Sequence, residues 1–190
     1  AQLAAARELP QHVASLLAPI ANHMTRALDR FLQQTQRGQV DVTLITTELV
    51  ALWQHATAWF GHRAAEHDMR DHAERLFAEQ VLRTREATCQ QRAQQLAECL
   101  EGDVALSAQV LEKEFRKLVA LFECQLSSFE RKRYVNLSHE QNKAMNLNSY
   151  IGLMGERLEE VRRPDGLHLV SAASDAGWVN PDAEFVITLD

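Results

Sequence analysis

Proline is missing from the whole of residues 20–163, and that span holds only five glycines. Proline breaks a helix interior and glycine weakens it by about 1 kcal/mol relative to alanine, so the scarcity predicts a chain built almost wholly from long helices. Long hydrophobic runs are missing too. An uncharged stretch such as Leu9 to Thr25 is interrupted by Pro10, His12, Pro19, Asn22 and His23, and nothing approaches the ~20 consecutive apolar residues of a membrane span. Cysteine is sparse: Cys89, Cys99 and Cys124 are odd in number and lack any CxxC spacing. They predict neither a disulfide framework nor a zinc ribbon, and read as reduced, small hydrophobes of a cytoplasmic protein.

Basic residues are absent from the end of the chain. None of the 20 Lys and Arg lies beyond Arg163, whereas Asp165, Asp175, Asp182, Glu184 and Asp190 follow it. The net charge of −6 is therefore concentrated in the tail, and the body before it is close to neutral. Nucleic-acid binding calls for Lys and Arg clustered on one face. The one dense cluster is Arg131-Lys132-Arg133, so nucleic acid is not an expected partner. A phosphate-cradling loop and a nucleophile elbow are both lacking. The chain reads as non-enzymatic, or as a non-catalytic region of a larger enzyme, and no cofactor is expected. Its first residue, Ala1 rather than Met, fits an excised fragment, a trimmed form or a mature form after signal cleavage.

What is present is helical periodicity. Val13, Leu17, Ile20, Met24, Ala27 and Phe31 recur at gaps of four and three, the heptad spacing of a packed or coiled-coil helix. That helix is predicted over Pro10 to Arg37, bent at Pro19 and closed by Gly38. Asp41 is the expected N-cap of a second helix with Ile45, Leu49, Leu52, Trp53, Ala56 and Phe60 inward, and Gly61 marks a kink or an end.

The same spacing recurs in Leu82, Glu86, Cys89, Ala93, Leu96 and Leu100, and again in Val104, Ala108, Leu111, Phe115, Leu118 and Phe122. Gly102-Asp103 separates the two seams. Folding the chain there pairs Leu96 with Ala108, Ala93 with Leu111 and Cys89 with Phe115, large against small. An antiparallel hairpin tipped at Gly102 is predicted, projecting roughly 30 Å. Its one anomaly is Glu86, a charge within the seam.

A last helix is predicted from Ser138, the start of a Ser138-His139-Glu140-Gln141 capping box, to Arg163. Its seam is Ala144, Leu147, Ile151, Met154, Leu158 and Val161, with a break near Asn136. Beyond the Pro164-Asp165-Gly166 turn signal, Leu167–Val170 and Phe185–Leu189 are β-like runs around Trp178.

Two clusters are candidate sites. His62, Glu66, His67 and His72 offer His/acid pairs four residues apart, with His55 preceding them. Neither Glu-x-x-His nor His-x-x-x-His occurs, so the ligand pattern of a helical metal site is lacking. Asn142, Asn146 and Tyr150 form a polar, weakly charged stretch suited to partner contact, and Trp178 is a further contact candidate.

The expected fold is all-α: a four- or five-helix antiparallel bundle over residues 1–163, with the long hairpin tipped at Gly102. A short, β-prone acidic tail over 164–190 completes it. The expected function is a non-enzymatic protein–protein interaction module, such as an adaptor, an assembly or secretion chaperone, or the helical stalk of a larger protein. Its partner is another protein or a second copy of the chain. The alternative is a helical ligand- or metal-binding sensor using His62–His72.

Overall fold

Gaps of four and three place apolar side chains on one stripe of a helix, and in the computed structural model the middle of each stripe in residues 13–122 turns inward. The structure describes residues 2–67, 70–124, 126, 129–173 and 177–180. The chain is mostly helical with one small antiparallel sheet, and it divides into two compact units, Ala1–Leu126 and Ser127–Asp190. Among the described residues no helix is long and apolar enough to cross a membrane.

In the first unit, α1 (Gln2–Gln36) runs through Pro10 and Pro19 and buries Ile20, Met24, Ala27 and Phe31. Asp41 caps α2 (Val42–Glu66), accepting from the Leu44 N–H at 3.0 Å. The expected inner face of α2, from Ile45 to Phe60, is buried as a whole. Gly61 does not end the helix. Instead it admits a neighbour: a Cβ there would lie 2.5 Å from Glu86 Oε1. Asp71 caps the short α3 (His72–Phe77), which continues through a π-helical segment (Ala78–Arg83) into α4 (Thr84–Glu101). After the reversal at Gly102, Ser107 caps α5 (Ala108–Phe122).

The reversal at Gly102 is where the sequence puts it, but the projecting arm is not formed. Cys89, Ala93 and Leu96 of α4 and Leu111, Phe115, Leu118 and Phe122 of α5 all belong to the same core as α1 and α2. Helix α4 packs chiefly against α2, and α5 against α1 and α2. Phe115 stacks on Phe31 of α1 at 5.0 Å, and Phe122 stacks on Phe60 of α2 at 5.4 Å. A matched register arises equally when two seams face a common core and when they face each other; here it is the former. Val104, at the proposed tip layer, is 58% exposed.

In the second unit the predicted helix over 138–163 is mostly not helical. Asn142, not Ser138, is the N-cap, and α6 spans only Lys143–Ile151. Gly155, at φ +76, lies just beyond its end. Residues Arg157–Arg163 form β1, pairing antiparallel with β2 (Gly166–Ser171) and with β3 (Trp178–Val179). The Pro164-Asp165 turn joins β1 to β2, with Arg163 opposite Gly166. The β-like reading of Leu167–Val170 is met, though its strand partner lies upstream. Phe185–Leu189 lies outside the described residues. Tyr134, Leu158 and Leu169 form the small core of this unit.

Candidate functional site

The basic cluster Arg131-Lys132-Arg133 forms a single 3-10 turn. Its backbone is closed by Arg133 N–H to the Glu130 carbonyl at 3.0 Å and Tyr134 N–H to the Arg131 carbonyl at 3.2 Å. Tyr134 anchors the turn: its ring is buried, and its hydroxyl donates to Glu160 of β1 at 2.7 Å. Burial, then the hydrogen bond and charge of Glu160, push the Tyr134 phenol up to about 12. Downstream, Val135 N–H donates to the Leu167 carbonyl at 2.8 Å. The Asn136 carboxamide spans the Leu169 peptide in both directions, at 2.7 and 3.0 Å. These bonds pin the 3-10 turn beside β2.

The chain then doubles back. His139 sits 3.0 Å from the Tyr134 carbonyl, and the Glu140 carbonyl accepts from Arg131 Nη2. That return brings the first turn of α6 next to Arg131. Together Arg131, Lys132, Gln141, Asn142, Lys143 and Asn146 line a pocket of about 370 Å³.

The electrostatics of this pocket are one-sided. Arg131 is only 4% exposed, and its Nε and Nη1 are buried without a hydrogen-bond partner. A guanidinium is always charged and carries five donors, so burial with one carbonyl contact leaves it largely uncompensated; such a burial costs several kcal/mol. Lys132 and Lys143 add positive charge, and the α6 N-terminus contributes a favourable dipole for anions. The acid at hand is Glu140, whose Oε2 lies 3.3 Å from Asn142 Nδ2. Cations and carboxamides in this arrangement have the chemistry to hold and orient an oxyanion.

Of the residues anticipated from sequence, Asn142 and Asn146 meet at this pocket. Tyr150 does not: it packs its ring 5.8 Å from that of Phe129, and its carbonyl accepts from Asn180 Nδ2 at 3.4 Å. Trp178 is 41% exposed on the short strand β3. In the first unit, His62 Nδ1 lies 3.0 Å from Glu66 Oε2, an oxygen that Arg63 also approaches at 3.2 Å. The His67 ring lies 5.3 Å from that of Phe77, and His72 is exposed at the start of α3. Among the described residues no three His, Cys, Asp or Glu side chains converge as a metal set.

Arg131, Lys132 and Lys143 are the site residues that sequence reading passed over. Their signal was the density of the Arg131–Arg133 cluster, weighed only as a nucleic-acid footprint. Comparison with known proteins returns no match: no family model fits the chain, and no curated protein or solved structure is similar to it.

Proposed function

We propose that this chain is a non-enzymatic protein–protein interaction module that holds an acidic group of its partner in the Arg131 pocket. On this reading α1 to α5 are an antiparallel bundle serving as scaffold, and the second unit carries the contact. The observation that carries the proposal is the buried Arg131 guanidinium, with Nε and Nη1 unpartnered beside a pocket of further cations and amides. A protein does not retain such a charge for stability, since a hydrophobic replacement is often neutral or better. An incoming carboxylate or phosphate supplies the missing compensation.

The test is fluorescence anisotropy with short peptides carrying paired carboxylates or phosphoserine, each against its amide or serine counterpart. The acidic peptides are expected to bind, with affinity falling as salt rises. Arg131→Gln should weaken them roughly tenfold or more, the size of a charge-assisted contact. Equal binding of acidic and neutral peptides, or no effect of Arg131→Gln, would overturn the proposal.

A further inference from the structure

The first unit holds a second recess, independent of the Arg131 pocket. It is a groove of about 500 Å³ bordered by α2, the π-helical segment with the start of α4, and α5. Its floor is aromatic: Trp53 and Phe60 of α2 are 4% and 7% exposed. Its rim is apolar and cationic, with Val81 and Arg85 on one side and Lys117 and Leu121 on the other.

Three observations point to a ligand. First, the rim valine is 42% exposed, on a segment whose π-helical turns depart from the α-helix; π-bulges are rare and concentrate at functional sites. Second, Trp53 Nε1 is buried with no acceptor, whereas a buried indole N–H ordinarily finds one. Third, the charge is unbalanced. Glu114 is already held by Arg92 through both oxygens, and Lys117 shares one of those oxygens at 2.8 Å. Arg85 has no ion pair among the described residues. Of the two cations that line the groove, Lys117 therefore shares its carboxylate with Arg92, and Arg85 has none among the described residues.

We infer that this groove binds a small amphiphile with an apolar chain and an anionic head, of the class of a medium- or long-chain carboxylate. The volume lies within the range of about 300–1,000 Å³ typical of small-molecule sites, which combine an apolar lining with few polar groups. The chain lies over Phe60, and the head faces Arg85 and Lys117, a carboxylate oxygen serving as the acceptor that the Trp53 indole N–H lacks. Complementary charge at the rim selects the acid over a neutral or cationic amphiphile of the same length.

The experiment is isothermal titration of the full chain with sodium dodecanoate and dodecyltrimethylammonium below their micellar concentrations, and with 1-dodecanol within its aqueous solubility. One dodecanoate per chain is expected, dodecanol should bind more weakly, and the cation should not bind. Arg85→Gln should weaken dodecanoate roughly tenfold, and Ala120→Trp, at the exposed rim, should abolish binding with the helical circular dichroism intact. Should Ala120→Trp fail to fold, Val81→Asp replaces it, its carboxylate repelling the head. Arg131→Gln should bind dodecanoate as the unaltered chain does, which separates this inference from the proposed function. Absence of dodecanoate binding up to roughly 1 mM, equal affinity for dodecanoate and dodecanol, or unaltered binding in Arg85→Gln would each overturn it.

Discussion

Arg92 of α4 grips both carboxylate oxygens of Glu114 on α5, Nε to Oε2 at 2.7 Å and Nη2 to Oε1 at 2.6 Å, while Glu114 is 1% exposed. This ion pair links two helices that otherwise pack on α2 and α1. Removing Arg92 leaves the buried carboxylate to Lys117 alone, at 2.8 Å, so Arg92→Leu should lower stability by about 2 kcal/mol. The double variant Arg92→Leu/Glu114→Leu should recover most of that loss. Urea midpoints of the two variants check it; equal losses would mean the pair matters through packing alone.

Burial pushes the Glu114 carboxyl up, but hydrogen bonds and charge from Arg92 and Lys117 outweigh it and hold the group below its ordinary value of 4.5. The folded state thus binds the proton less readily than the unfolded one. The stabilisation is fully present above the ordinary value and is lost as pH falls through the lowered folded value. Glu114→Gln should flatten that acid limb of a stability-against-pH curve.

His23 of α1 and His55 of α2 approach at Nδ1 to Nδ1, 3.1 Å. One heptad away on each helix, Arg30 and Glu48 pair at 2.6 Å in the same antiparallel register. Burial, then the charges of His55, Arg30 and Arg26, lower His23 below 6.5 against the opposing pull of Glu48. Because the folded value is depressed, stability holds above 6.5 and falls as pH drops below it. Imidazole proton NMR should show His23 titrating below 6.5 and moving back toward it in His55→Gln.

Arg131→Met should leave thermal stability unchanged or raise it by about 1 kcal/mol, because the buried guanidinium lacks compensation. In the unaltered chain inorganic phosphate should raise the melting temperature by mass action. In Arg131→Met that phosphate response should vanish. Differential scanning calorimetry with and without phosphate reads both effects.

Gly166→Ala should destabilise the second unit by about 1–3 kcal/mol. Gly166 follows the turn at φ +142, and a Cβ there would meet Val135 Cγ2 at 2.5 Å. Loss of amide protection at the Val135 and Leu169 N–H groups, which donate to the Leu167 carbonyl and to Asn136 Oδ1, localises the damage when read by hydrogen exchange.

Much of the first unit was legible because its signals are local. Asp41, the periodic face from Ile45 to Phe60 and the reversal at Gly102 are all set by residues within a turn or two of one another. The partners of α4 and α5 were not, since complementary seams do not say whether they meet each other or a third helix. Glu86 was legible as an anomaly only: it pairs with Arg83 at 2.7 Å and leans on Gly61, a contact between α4 and α2. The helix expected over 157–163 failed because Leu158 and Val161, three apart, suit a helix, while the strand is imposed by pairing across Pro164-Asp165. At the candidate site the amides of Asn142 and Asn146 were visible. Their meeting with Arg131 was not, because it depends on the chain folding back between Tyr134 and Gln141.

The π-helical segment acts as a phase shifter. Each residue of an α-helix advances the side-chain direction by about 100°, so a helix that winds more slowly over Ala78–Arg83 sets α3 and α4 out of step with each other. Deleting a single codon there would return the run to ordinary winding and rotate α3 relative to Cys89 and the rest of α4. The run would gain uniform winding, and the recess beside Trp53 would lose the wall that Val81 supplies.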